Sequence, residues 1–251
     1  MQRVLIVDSQ TASARLLSDT LRATGPMDVV IAADVQRALA ATRTMEPQVI
    51  FVEHPSTGVD GYAFTRQLRR SDSDARKAPV IMITAEATAA AILSARDAGL
   101  HEFLRKPFTI KDVERRIEAV ILRPRDWIEG VNYVGPDRRR FNSADYGGPR
   151  KRRGDARQND AQNQLQQALQ IVRAAAVGYE GDPKQARRAI DAQLLALKPL
   201  VGIYPAMAAP LVSLECWDLE FPDDNDLARD ELKRRADAMM PFMPPEQVRA
   251  A

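Results

Sequence analysis

The sequence predicts an α/β domain built on a five-stranded parallel sheet, followed by a basic linker and a small all-α domain. Three observations carry this reading. Over residues 1–123, short β-branched runs alternate with helical patterns. Over 124–159, proline, glycine and arginine interrupt every periodicity. Over 160–251, apolar residues recur at helical spacing. A length of 251 residues fits two domains at roughly 150 residues each.

The strand candidates are Val4–Val7, Val29–Ile31, Val49–Val52 and Val80–Ile83, with a weaker fifth at His101–Leu104. The first four are apolar on both faces, as buried parallel strands are. The helices between them follow from their punctuation. Thr11–Thr24 carries Leu16, Leu17 and Leu21 and stops at Gly25. A second runs from about Ala33 to Thr44, a third from Asp60-Gly61 to Arg70, and a fourth from Ala87 to Ala98 before Gly99. The fifth follows Thr109, an N-cap residue type, and places Ile110, Val113, Ile117 and Val120 on one stripe. Five βα units in this order predict a three-layer sandwich whose functional crevice lies at the carboxyl ends of the strands. Asp8, Glu53, Thr84 and Lys106 all fall at or just past strand ends, so they are expected to converge.

Composition excludes several classes. At 45% hydrophobic and 28% charged residues the chain can bury a core, which rules out wholesale disorder. No apolar run approaches the ~18 residues of a membrane span. The N-terminal MQRVLIVDSQ lacks the longer apolar segment and cleavage site of a signal peptide, so a cytoplasmic protein is expected. One cysteine, Cys216, excludes an internal disulfide and a cysteine-clustered zinc site. With only His54 and His101, a histidine-rich metal site is also out.

The linker holds a short internal repeat. Tyr133-Val134-Gly135-Pro136-Asp137-Arg138-Arg139-Arg140 returns thirteen residues later as Tyr146-Gly147-Gly148-Pro149-Arg150-Lys151-Arg152-Arg153. Residues 136–157 carry eight basic and three acidic residues, a net of +5, whereas the whole chain is only +2. This Tyr-x-Gly-Pro-x-basic-Arg-Arg pattern admits three readings: a solvated linker, an anion-binding arm, or a docking motif for an acidic protein. In the second reading, Arg138, Arg139, Arg140, Arg150, Lys151, Arg152 and Arg153 pair with the phosphates of a nucleic acid or cyclic dinucleotide. Tyr133 and Tyr146 then offer stacking faces. From Gln158 onward there are 10 basic and 14 acidic residues, a net of −4, which is unsuited to general DNA binding. The expected helices there are 161–176, Asp182-Pro183 to Leu197, Tyr204–Leu219 and Asp224–Met240.

The first 123 residues resemble the receiver domain of two-component response regulators, with its CheY-like, flavodoxin-like fold. The resemblance rests on Val4-Leu5-Ile6-Val7-Asp8, on Asp60-Gly61, on Ile83-Thr84-Ala85, and on the block Ala98-Gly99-Leu100-His101-Glu102-Phe103-Leu104-Arg105-Lys106-Pro107-Phe108. It implies a pocket of Asp8, Ser9, Glu53, Thr84 and Lys106, with Phe103 as the switch aromatic. It also implies a signalling role with a sensor kinase, a phosphotransfer protein or an output target as partner. The helical tail resembles no family by its residues.

Two departures bear on chemistry. Receivers accept a phosphoryl group on an aspartate seven residues before the Asp-Gly pair; that position is Glu53. The family's second acid, a direct magnesium ligand, is replaced by Ser9. Magnesium demands hard oxygen donors in near-octahedral geometry, so at most weak binding at Asp8 and Glu53 is expected. Glu53 is long enough to reach Lys106, with Thr84 as a further candidate, and would supply a fixed charge without metal. The expectation is therefore a non-enzymatic pseudo-receiver that is not phosphorylated and acts by protein–protein interaction. A nucleic-acid or cyclic-dinucleotide effector working through the arm at 136–157 is the alternative.

Overall fold

Five parallel strands in the order β2-β1-β3-β4-β5 organise the first part of the chain. The protein is described by a computed structural model covering residues 2–55, 58–86, 88–138 and 156–244, with side chains in the last stretch from 161. The strands are β1 (Gln2–Val7), β2 (Met27–Ala32), β3 (Val49–Glu53), β4 (Val80–Thr84) and β5 (Glu102–Arg105). They alternate with α1 (Thr11–Thr24), α2 (Val35–Met45), α3 (Gly61–Arg70), α4 (Ala89–Ala98) and α5 (Ile110–Leu122). The period-two alternation of the strands divides the core between the two sheet faces. Leu5, Val7, Ile50, Val52 and Met82 pack with Phe64 and Leu68 of α3. Val4, Ile6, Phe51, Ile81 and Ile83 pack with Leu17 and Leu21 of α1 and Val113 and Ile117 of α5.

Caps fix the helix starts. The Asp60 carboxylate accepts from the Tyr62 and Ala63 amides at the head of α3. Thr109 and Asp112 form a reciprocal capping box on α5. The fourth helix begins two residues later than the sequence suggests, because Thr88 serves as its N-cap. The second strand also differs from expectation. Val30 and Ile31 are 36% and 40% exposed, since β2 is an outer strand paired only with β1.

The chain divides into two compact units, Met1–Ile128 with Tyr133–Gly148, and Glu129–Asn132 with Pro149–Ala251. Residues early in the expected linker are therefore structured. Trp127–Glu129 (β6) and Val134–Pro136 (β7) form a two-stranded sheet, and the Asp137 amide donates to the Asp126 carbonyl (2.7 Å). Three-residue strands with glycine and proline carry no readable periodicity, which is why the sequence reads as linker. Tyr133 is buried and its hydroxyl donates to the Pro136 carbonyl (2.6 Å). The Arg125 guanidinium donates to the carbonyls of Leu100 (3.1 Å) and His101 (2.7 Å).

The wholly buried Arg69 guanidinium lies in the same unit. It donates to the carbonyls of Gly99, Arg76 and Ala78 and meets His101 Nδ1 at 3.3 Å. That nitrogen also accepts the Val80 amide (3.3 Å), so it carries no proton. Burial, with Arg69 and Arg125 nearby, holds the His101 imidazole well below its usual 6.5. The unfolded chain therefore binds a proton near pH 6.5 that the native chain refuses. This contributes stability that is fully present above about pH 6.5 and is lost as pH falls below it, at ~1.4 kcal/mol per pH unit. In urea unfolding the native protein should thus lose stability from about pH 6.5 downward relative to His101→Asn, which keeps an acceptor but cannot titrate. Parallel stability curves for the two proteins would refute the assignment.

In the second unit, α6 (Ala156–Gly178), α7 (Pro183–Leu197), α8 (Ala208–Glu220) and α9 (Asp226–Met239) share one core. Leu165, Leu169, Val172, Ile190, Leu214, Trp217 and Leu232 are among its members. Trp217 Nε1 donates to the Ala228 carbonyl (2.9 Å). The helix expected from Tyr204 starts at Ala208, because Pro205–Met207 forms a 3-10 turn first. The 129–132 segment belongs here: Gln185 Nε2 donates to Glu129 Oε1 (2.8 Å).

Candidate functional site

Asp8, Glu53, Thr84 and Lys106 meet at the carboxyl ends of β1, β3, β4 and β5 because parallel strands in register deliver their ends to one edge. Glu53 is the last residue of β3, and the Lys106 amide donates to the Thr84 carbonyl (2.8 Å) just past β5. The Lys106 ammonium donates to Glu53 Oε1 at 2.6 Å and to Ser13 Oγ at 3.3 Å. Asp8, Glu53 and Thr84 are all buried. The Asp8 carboxylate accepts from the Gln10 amide (2.7 Å), and Ser9 beside it is half-buried.

The expected contact between Glu53 and Lys106 is present; the further one to Thr84 is not. The Thr84 hydroxyl donates to the Glu86 carbonyl (3.1 Å) and accepts the Glu86 amide (3.0 Å). A short hydroxyl at the strand end is satisfied by its own turn before it can span the pocket. Phe103 is half-buried, packed against the apolar cluster on the α3 side of the sheet, with the Arg116 guanidinium 5.7 Å from its ring centre. Arg116 also pairs with buried Glu102 (3.0 Å).

Burial pushes the Glu53 carboxyl above its ordinary range; the Lys106 contact pulls the other way and the nearby Asp8 charge adds to the rise. Desolvation outweighing a close ion pair is what a buried carboxylate with one unsatisfied oxygen should show. That oxygen is Glu53 Oε2, buried and without a hydrogen bond among the described residues.

Beside the pocket, the His54 ring packs against Tyr62, tilted by 46° with ring centres 4.0 Å apart. Burial lowers the His54 imidazole and raises the Tyr62 phenol. Gly61 leaves room there, because a Cβ would stand 3.1 Å from both His54 Cβ and Val52 Cγ2 and would press on them. Ser13 and Tyr62 were not legible as pocket residues. Both sit on helices whose sequence pattern speaks only of amphipathicity.

The donor set fits a tight magnesium site poorly. Among the described residues no group of three or more histidines, cysteines or acids could hold a metal. Of the two carboxylates present, one already engages an ammonium. A lysine cation in contact with the would-be ligand opposes a second cation.

The repeat residues divide. Tyr133 was expected to offer a stacking face, but it is buried and covered by the Arg138 guanidinium at 4.3 Å. Arg138 itself is half-exposed and pairs with Asp97 (3.2 Å). Arg139, Arg140, Tyr146, Arg150, Lys151, Arg152 and Arg153 lie outside the described residues. Cys216, for which inert burial was expected, is half-buried and free.

A doubly wound parallel α/β sheet with acids and a lysine at its carboxyl edge defines a receiver-type domain. Comparison with known proteins agrees: residues 4–118 match the family model of the response regulator receiver domain. The probable transcriptional regulator ycf27 of Porphyridium aerugineum is 30% identical over 122 residues, covering 49% of each chain. The DNA-binding response regulator MtrA of Mycolicibacterium smegmatis is 30% identical over 125 residues, covering 50% of this chain and 53% of that protein. The chain thus spans about half the length of the curated relatives it matches. Among solved structures, Vibrio cholerae chemotaxis protein CheY4 is 26% identical over 48% of this chain and 99% of its own, with a TM-score of 0.45. The family match does not extend into the helical unit. Among the described residues, no helix is long and apolar enough to cross a membrane.

Proposed function

We propose that this is a response-regulator-like signalling protein of a two-component or phosphorelay pathway whose receiver is a pseudo-receiver. It is not phosphorylated, carries no enzymatic activity and binds magnesium weakly at most. It acts by protein–protein interaction with a sensor kinase, a phosphotransfer protein or an output target. The observation that carries the reading is the 2.6 Å contact between Lys106 and Glu53. The lysine expected to meet an incoming phosphoryl group is already neutralised by the residue in the acceptor position. Glutamate also carries its carboxylate one methylene further out than aspartate, and in-line attack tolerates little misplacement. Ser9 in place of an acid removes one negative charge from the magnesium donors.

The test is incubation of the full chain with acetyl phosphate and magnesium, followed by intact-mass measurement. No phosphoryl adduct is expected; a stoichiometric, hydroxylamine-labile one would overturn the proposal. Magnesium should leave the melting temperature unchanged.

A second reading, nucleic-acid or cyclic-dinucleotide binding through the arm at 136–157, draws support from the arm's net +5 and from a relative whose name is that of a DNA-binding regulator. The net −4 from Gln158 onward weighs against it. Arg139→Ala and Arg152→Ala decide between the readings. If the second holds, they abolish a nucleic-acid or dinucleotide affinity that falls steeply with salt; under the first there is no such affinity to lose.

A further inference from the structure

The first copy of the repeat is seated on the receiver unit, and the residues that recur in the second copy are those that seat it. Tyr133 closes a turn by donating to the Pro136 carbonyl (2.6 Å). Gly135 sits at a φ of 155°, and a Cβ there would stand 2.7 Å from Tyr133 Oη and 3.0 Å from Gly99 Cα. Opposite it, a Cβ on Gly99 would meet the Val134 carbonyl at 2.9 Å. Arg138, five residues after the tyrosine, lies over the Tyr133 ring and pairs with Asp97. The backbone of the position between proline and the basic residue is held by Arg125, which donates to the Asp137 carbonyl (3.1 Å). This contact does not depend on the side chain.

Each of these requirements is met again by Tyr146, Gly148, Pro149 and Lys151 at identical spacing. Lysine keeps both the ion pair and the ring contact that Arg138 makes. The positions that change are Val134, which becomes Gly147, and Asp137, which becomes Arg150. The second keeps the backbone carbonyl but reverses the charge that faces Arg125, which also weakens the second copy. The first removes a buried side chain, making the second copy the weaker ligand by on the order of tenfold or more.

We propose that the notch formed by Gly99, Asp97 and Arg125 is a docking site for the Tyr-x-Gly-Pro-x-basic motif, and that residues 146–151 of the same chain are its second ligand, taking the notch when the first copy leaves. Attachment to the same chain favours this occupant over any free peptide, because tethering raises its local concentration to roughly millimolar levels. Exchange of one copy for the other places thirteen more residues of chain ahead of the docked motif.

The experiment uses the full chain and a fluorescent synthetic peptide with the sequence of residues 144–155. The native chain should bind it weakly, its notch being filled. Gly135→Val and Tyr133→Ala, chosen as independent ways of unseating the first copy, should each raise affinity. Adding Tyr146→Ala, which removes the tethered competitor, should raise it about tenfold further. Asp97→Lys in the double variant should abolish binding, as should a peptide with its tyrosine changed to alanine. In the unaltered chain, a large excess of peptide should speed hydrogen exchange at the Asp137 amide, which the seated copy ties to Asp126. That arm does not depend on any variant folding. Absence of both the affinity gain and the exchange effect overturns the docking site. An affinity unchanged by Tyr146→Ala, or dimers of Tyr133→Ala in sedimentation, overturns the assignment to the same chain.

Discussion

Arg69→Ala is expected to destabilise the receiver unit by about 3–5 kcal/mol, a large share of the ~5–15 kcal/mol that holds a domain together. The guanidinium is fully buried and its hydrogen-bond partners are three backbone carbonyls and an imidazole, none of them a carboxylate. Burial pulls its pKa down to about 9, so it remains charged at neutral pH. Alanine removes every donor at once and leaves the Gly99 carbonyl, which accepts from both Nε and Nη2, buried without them. Unsatisfied buried carbonyls cost about 1–3 kcal/mol each, and the lost stem adds a cavity. The Trp127 ring, 5.3 Å from the guanidinium carbon, loses that contact as well and keeps Arg76 at 5.8 Å. Urea unfolding followed by tryptophan fluorescence measures the loss. Arg69→Lys should recover only a fraction, because a point charge cannot bridge carbonyls that a planar fork spans. An unchanged midpoint for Arg69→Ala would show that water satisfies those carbonyls equally well.

Arg69 also marks where sequence reading stops. The five βα units were legible because buried parallel strands are written as apolar runs and helices as stripes and caps. The α1 boundaries, Thr11 and Thr24, fall where the sequence places them. The convergence of Asp8, Glu53, Thr84 and Lys106 was legible too, since strand ends must share an edge. What depends on a side chain finding a distant backbone was not. Nothing in Arg69-Arg70 says that the first arginine is buried against residue 99 while the second is exposed. Likewise, Tyr133, just before a three-residue strand, reads as loop, and its burial is decided by Gly99, Gly135 and Pro136 fitting together. Thr84 was read as a pocket hydroxyl from its position, but a turn carbonyl two residues away takes its proton in preference to a carboxylate across the pocket.

Converting Glu53 to aspartate together with Ser9 to aspartate is expected to take the receiver from no phosphoryl adduct to a stoichiometric one with acetyl phosphate and magnesium. The proposed block has two independent parts, and each substitution removes one. Glu53→Asp withdraws the carboxylate by one methylene, lengthening the 2.6 Å contact with Lys106 and freeing the ammonium for a phosphoryl oxygen. It also moves the nucleophile to the depth the family uses. Alone it should label poorly, because Asp8 and one further carboxylate still under-supply a divalent ion. Ser9→Asp alone should label no better, since the acceptor stays too long and remains paired. With both, three carboxylates face the pocket, and magnesium should raise the melting temperature in the double variant only. Stability itself should move little in the companion Glu53→Ala. Burial already pushes the Glu53 carboxyl upward, and the Lys106 ammonium left behind is 29% exposed, so water rather than a dry cavity receives the charge that loses its partner. A partner that recognises the paired Glu53–Lys106 state should nonetheless bind Glu53→Ala more weakly, since a differential of ~1.4 kcal/mol is tenfold in a two-state equilibrium. If the double variant stays unlabelled while binding magnesium, acceptor depth and charge are not what silences the pocket. The commitment of Thr84 to Glu86 would then be the next contact to break.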